Sequence, residues 1–466
     1  METGRLFRLI LGCSVVASCS VISSAGLAEG ELRGDVVQTD LDIPHLSTLG
    51  ANADEPVNLF VRELVRAHGD RHGSAKAVLM VHGRSVPALA VFDLRHDDYS
   101  WGEQLAKAGF DVFIVDLQGS GRSPTPERSL VPMTAPCNVT SAQQQRFLLA
   151  PNPPLLAAPC ASSFPFILIN SRSEWDEVNT VVDYIIANRG VQKVSLVGIS
   201  RGSLVVGPYA AQHPEKVESV FLQAPIYNPA ALPGIGPDGM APPVRSAGQL
   251  ADFSTRFIPC ARADITANRC PGIPPDATRP HRILPPLTAA FPAAMALSTR
   301  QDFVDRWTAE ISCTGQREDG LQDRVWGAIM ENDRLGAAWG PEGLMRNRSF
   351  FPWGWTPAVA SSIQVPTLIV FGELDTEGTA EGFPVAVNSF VLYDTIPANP
   401  GVAKLLFKVA CTGHQMFWEG RRKVLHHLSR QWLKHGSIEG NTSGKFFIDT
   451  EGILTPLKAS SVSSSP

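Results

Sequence analysis

Six short apolar runs recur along the chain, at 76–81, 110–116, 193–198, 217–222, 366–372 and 404–409, and helical spacing fills several of the stretches between them. Runs this short and this apolar are the form taken by strands buried on both faces. Strands that alternate with helices pair in parallel, because each return across the sheet is made by a crossover. The pattern predicts an α/β chain with a mostly parallel, doubly wound sheet. Parallel strands also end along one edge, so residues far apart in sequence can meet there when each lies just past a strand's carboxyl end.

The intervening segments fit this reading. Trp101 to Gly109 reads as a short amphipathic helix closed by glycine, and Glu174 to Asn188 carries Trp175, Val178, Val181, Val182, Ile185 and Ile186 at helical spacing. Arg201 to His213 and Glu419 to Lys434 read as two more helices. Ahead of the first run, Val57 to Leu64 reads as an early strand after a polar leader. Two stretches break the rhythm. Residues 124–171, rich in proline and alanine, read as an insertion. Residues 228–362 hold proline and glycine clusters, helical stretches and Trp307, Trp326, Trp339, Trp353 and Trp355, which reads as an inserted helical cap whose tryptophans mostly fill a small core of their own. The core is expected over 29–227 and 363–436, and the polar stretch 437–466 reads as a disordered tail.

At 466 residues and 44% apolar composition the chain has enough material for a large buried core. A net charge of -5, with no long run of lysine and arginine, argues against a nucleic-acid partner. Arg5 and Arg8 precede the apolar stretch Leu9 to Ile22, and small residues follow up to Ala28, so residues 1–28 read as a secretory signal peptide. An alternative is a lipid anchor, since Val16-Ala17-Ser18-Cys19 resembles a bacterial lipobox that would leave Cys19 at a membrane surface. After cleavage no membrane-spanning segment is expected. Cys137, Cys160, Cys260, Cys270, Cys313 and Cys411 would remain, an even set suited to an oxidising compartment. Proximity favours Cys137 with Cys160 and Cys260 with Cys270, which leaves Cys313 for Cys411; six buried free thiols are the alternative.

Gly198-Ile199-Ser200-Arg201-Gly202 directly follows an apolar run. G-x-S-x-G is the pattern of a nucleophile elbow, in which flanking glycines let a sharp strand-to-helix turn close around a projecting hydroxyl. The pentapeptide alone is weak, but its context is not. Ser200, Asp375 and His414 each lie just beyond the end of an expected strand. A serine hydroxyl needs an imidazole to take its proton, and a carboxylate on the far ring nitrogen fixes the tautomer and stabilises the imidazolium. Glu373 and Asp394 are alternative acids for the same histidine. His82, His213, His426 and His427 sit where packing roles are expected.

The chain resembles a capped α/β-hydrolase. The resemblance rests on Val81-His82-Gly83-Arg84, Asp116 to Ser123, Gly198 to Gly202, Gly372-Glu373-Leu374-Asp375 and Gly413-His414, and it covers about 55–227 and 363–435. The order nucleophile, acid, base is that family's order. The resemblance implies an oxyanion hole made by the backbone N–H groups of Arg84 and Arg201, whose side chains would be only solvated charges. It also gives Asp116 a structural role. Haloalkane dehalogenases and epoxide hydrolases resemble this fold with aspartate at the elbow, where this chain has Ser200. No metal, flavin or nucleotide is expected, since Gly119-Ser120-Gly121 is too short for a dinucleotide loop. The expected function is that of an exported serine hydrolase cleaving a small-molecule carboxylic ester or lactone. The alternatives are a secreted amidase or peptidase on the same fold, and a catalytically inactive binding homologue. Nothing in the sequence sets the oligomeric state.

Overall fold

The computed structural model describes residues 31–48, 54, 56–67, 76–83, 88–118, 122–123, 171–227, 313, 355–375 and 389–457. Among these residues eleven strands form one sheet: β1 (Glu31–Arg33), β2 (Val36–Leu46), β3 (Pro56–Arg66), β4 (Ala77–Val81), β5 (Asp111–Val115), β6 (Val194–Ile199), β7 (Val217–Gln223), β8 (Thr367–Gly372), β9 (Lys404–Val409), β10 (Ser443–Ile448) and β11 (Leu454–Pro456). Their order is β1-β2-β3-β5-β4-β6-β7-β8-β9-β10-β11. From β5 to β10 every neighbouring pair is parallel, while β1 to β3 and β11 pair antiparallel at the two margins. All six expected runs are strands of the parallel region.

Among the described residues, seven helices accompany the sheet: α1 (Ala88–Phe92), α2 (Trp101–Lys107), α3 (Ser171–Arg189), α4 (Ser203–Gln212), α5 (Pro357–Ala360), α6 (Ser389–Thr395) and α7 (Arg422–His435). Alternate strand residues feed two separate cores. Val78, Met80, Val112 and Ile114 join Phe92, Trp101, Leu105, Leu428 and Trp432 of α1, α2 and α7. Leu79, Val81, Phe113 and Val115 join Val178, Val182, Tyr209, Ala360 and Leu392 of α3 to α6. The sheet is thus doubly wound, and its strands are apolar throughout because both of their faces are covered.

The polar leader, within the stretch expected as core, contains β1 and β2, and β2 pairs along its whole length with β3. Two sequence expectations are corrected. The tail is not disordered over 437–457: β10 extends the parallel sheet beyond β9, and β11 folds back on it. Polar composition hid this segment, but Phe446 and Ile448 are buried and the Phe446 ring stacks on Phe407 at 5.3 Å. Finally, the segment expected to end the cap at 362 belongs to the core from 355 onward. Trp355 is fully buried with the α3-to-α6 residues rather than in a core of its own. Its ring fills the space above Gly207 of α4, where an added Cβ would fall 1.6 Å from the indole. Most of 124–171 and 228–354, including the other four of those tryptophans, lies outside the described residues.

Candidate active site

The end of β6 turns into α4 through one turn of 3₁₀ helix, Ser200–Gly202. The turn is sharp enough to hold Ser200 at φ +49°, in the left-handed region that costs an L-residue roughly 1–2 kcal/mol. It closes because two side chains are missing. A Cβ on Gly198 would lie 2.5 Å from Val206 Cγ2, and one on Gly202 would lie 2.4 Å from the Val81 carbonyl oxygen. Ser203 fixes the far side, donating its hydroxyl to the Ser200 carbonyl at 2.5 Å and accepting the Ile226 N–H at 3.1 Å. Ser200 is 7% exposed.

The two loops facing the elbow come from β4 and β5. Gly83 brings the first loop close enough that its Cβ position lies 3.2 Å from Ser200 Cβ; the next residue, Arg84, lies outside the described residues. His82, for which packing is expected, joins the two loops by hydrogen bonds. Its Nε2 accepts the Leu117 N–H at 3.3 Å, which leaves Nδ1 to donate to the Gly83 carbonyl at 2.8 Å. Asp116 ties both loops together, one oxygen accepting the Ala88 N–H at 2.8 Å and the other the Arg122 N–H at 3.0 Å. Burial pushes its carboxyl up to about 6 even against those two hydrogen bonds. Gln118 N–H donates to Glu177 on α3 at 2.8 Å.

Arg201 differs from the expectation for its side chain. The guanidinium is not a solvated charge: Arg201 is 5% exposed, and its guanidinium forks onto Glu174 of α3, with Nη1 to Oε1 at 2.6 Å and Nη2 to Oε2 at 2.9 Å. In the sequence, Glu174 reads only as the start of a helix. Its one visible signal is an acidic residue in a first helical turn, too common to single out.

The other half of the site lies beyond β8 and β9, whose last residues Gly372 and Val409 are register partners. His414 Nδ1 lies 3.0 and 3.1 Å from the two carboxylate oxygens of Asp375, and both side chains are almost wholly buried. The alternative acids are engaged elsewhere: Glu373 accepts the Cys411 N–H and lies 3.4 Å from Lys408 Nζ, and Asp394 pairs with Lys445 at 2.6 Å. The histidine loop is held at several points. The Leu374 N–H donates to the Thr412 carbonyl at 2.8 Å, the Gly413 N–H to the Glu419 carboxylate at 2.7 Å, and Gln223 Nε2 to the His414 carbonyl at 3.0 Å. Gln223 is the register partner of Ile199, the residue before Ser200. One glutamine at the end of β7 thereby links the histidine loop to the elbow strand.

Cys411, at φ +53°, is bonded to Cys313, with Cα atoms 5.5 Å apart and a sequence separation of 98. This is the pairing left over by proximity in the sequence; the other four cysteines of that set lie outside the described residues. Among the described residues, the grouping with metal-like donor spacing is Cys313, Glu373 and Cys411. With its two sulfurs joined to each other, it has no thiolate to offer a metal. No described helix is long and apolar enough to cross a membrane.

A family model described as alpha/beta hydrolase fold matches residues 76–242. No curated protein matches the chain. Similar solved structures include a thermophilic esterase from Thermogutta terrifontis, at 15% identity and TM-score 0.45, covering 85% of this chain and 98% of that one. An enol-lactonase from Burkholderia xenovorans is similar at 14% identity and TM-score 0.43, covering 81% and 97%. Likeness this slight says nothing about the substrate of this chain. The family match includes the elbow strand, and the sheet supplies the strand order and the edge on which Ser200, Asp375 and His414 stand. On that basis the chain has the α/β-hydrolase fold.

Proposed function

We propose that the protein is an exported serine hydrolase that cleaves a carboxylic ester or lactone through an acyl-Ser200 intermediate. The observation that carries this reading is the pairing of His414 Nδ1 with Asp375 at 3.0 Å, on the sheet edge where Ser200 is held at φ +49°. With Nδ1–H given to the carboxylate, Nε2 is the basic nitrogen. In the first step the Ser200 Oγ lone pair attacks the carbonyl carbon, the hydroxyl proton passes to His414 Nε2, and the carbonyl π electrons move onto oxygen. Collapse of the tetrahedral species re-forms the carbonyl and expels the alcohol oxygen, which takes the proton from His414. Water then repeats the sequence on the acyl-serine, with His414 as base, to release the acid. The oxyanion would be received by the Arg201 backbone N–H and by that of Arg84. Two such donors are the usual complement, and removal of one typically costs about 10²–10³ in rate.

Export rests on the N-terminal pattern of residues 1–28, and the Cys313–Cys411 bond suits the same compartment. The 228–354 stretch is assigned to substrate contacts as a cap. A fluorophosphonate probe tests the nucleophile: an adduct is expected on the peptide containing Ser200, and unmodified Ser200 in folded protein would overturn the reading. p-Nitrophenyl acyl esters of graded chain length, run beside aminoacyl anilides, test the leaving group. Turnover of the esters is expected; turnover of the anilides alone would move the protein to the amidases.

A further inference from the structure

We infer that the Glu174–Arg201 pair is a positioning device for the nucleophile turn, with the α3 carboxylate setting the direction of the Arg201 backbone N–H. The inference rests on the proposed serine hydrolase reading and adds Glu174 to it. The turn is already restrained on two sides, by the contact of Gly202 with the end of β4 and by Ser203 with Ile226. The first acts on residue 202, while Ser203 also reaches the 200–201 peptide itself, its hydroxyl donating to the Ser200 carbonyl at 2.5 Å. That bond holds the carbonyl end of the peptide whose N–H is the one aimed at the oxyanion, and leaves its nitrogen end to be set from the Arg201 side.

The arginine side chain adds a second restraint, at the Cα next to that N–H. Each guanidinium nitrogen meets its own carboxylate oxygen, at 2.6 and 2.9 Å, and such a fork accepts one orientation because both groups are planar. Both ends are anchored in well-packed structure. Glu174 is 2% exposed on α3, next to buried Trp175 and Val178, and Arg201 leaves the backbone between the strained Ser200 and the close-packed Gly202. Stability alone gives a poor account of the pair. Taking two charges out of water costs several kcal/mol per ion, and apolar residues of similar volume often do as well or better. Orientation gives a better account, because catalytic stabilisation by a donor depends on its being aimed before the charge develops.

The test separates orientation from packing. Glu174→Gln and Arg201→Met each remove one half of a buried fork, so both are expected to lose stability as well as rate. The double variant Glu174→Met with Arg201→Met restores an apolar fill and is expected to match the wild type in thermal midpoint. In that double variant kcat is expected to fall about 10- to 100-fold, with KM within about twofold. Affinity for a boronic acid, whose adduct with the serine is tetrahedral and anionic, should fall by a similar factor, while inhibition by the acid product stays unchanged. A stable double variant with wild-type kcat and boronate affinity would overturn the inference while leaving the serine hydrolase reading intact. Failure of the wild-type protein to take up a fluorophosphonate at Ser200 would instead remove the reading on which it rests.

Discussion

The two halves of the site are built on different principles. The elbow is held by close approach: Gly198 and Gly202 sit where no Cβ fits, Gly198 against Val206 and the Gly202 backbone, Gly202 against the Val81 and His82 carbonyls at the end of β4. The acid and base loops are held by side chains reaching from elsewhere, Gln223 from β7, Glu419 from six residues past Gly413, and Cys313 from 98 residues before Cys411. A steric constraint of the first kind excludes almost every residue but glycine, so it leaves a motif. Hydrogen bonds and a disulfide of the second kind can be supplied from many places, so they leave none.

Substitutions can break or sharpen this contrast. The largest expected effect is on chemistry alone. Ser200→Ala should cut turnover by at least about 10⁴-fold with little change in the thermal midpoint, which paired kinetics and calorimetry would show. Next comes the elbow backbone. Gly202→Ala places a Cβ against the Val81 and His82 carbonyl oxygens, so a loss of about 3 kcal/mol or more is expected in urea unfolding, with activity lost alongside. If that variant keeps both, close approach is not what holds this half.

The histidine half should respond more gradually. Opening the Cys313–Cys411 bond by Cys313→Ser is expected to cost about 2–4 kcal/mol while leaving the elbow reactive enough for slow fluorophosphonate labelling. Glu419→Gln weakens the bond that the carboxylate accepts from the buried Gly413 N–H, for which about 1–2 kcal/mol and a kcat reduction of roughly tenfold are expected. An unchanged kcat would mean that Glu419 supports the fold without setting the His414 loop.

The smallest effect at neutral pH is expected at His426 of α7, a reference point apart from both halves. Burial first, and then the Arg422 and Lys423 charges, push this imidazole down to about 4, against an opposing pull from Asp98. The fold therefore holds it neutral. The stability this contributes is complete above about pH 6.5 and is lost as pH falls through about 4. His426→Gln should leave stability unchanged at pH 8 and reduce the loss between pH 6.5 and 4 by about 2 kcal/mol, measured by urea unfolding across that range.

Legibility in the sequence divides along the same line. The strands β4 to β9 announce themselves because burial on both faces requires continuous apolar residues, and Ser200, Asp375 and His414 can be picked out by their places just beyond three of them. Glu174 cannot, since nothing local to α3 records that Arg201 waits across the site. Neither can β10, whose Lys445-Phe446-Phe447-Ile448 is short and lies in a polar stretch; the exposed flank of β9 is what gives it a partner. Trp355 reads as part of the wrong unit because its partner is Gly207, an absence of side chain 148 positions earlier.

The outer strands bear on how copies of this protein meet one another. An eleven-stranded sheet with open margins invites a second molecule to add its own strand, yet the outermost members, β1 and β11, are only three residues long. β11 also ends in Pro456, which has no N–H to give to an incoming chain. Loss of the 31–35 segment would uncover β2, eleven residues long, and turn a blunt margin into a template for self-association.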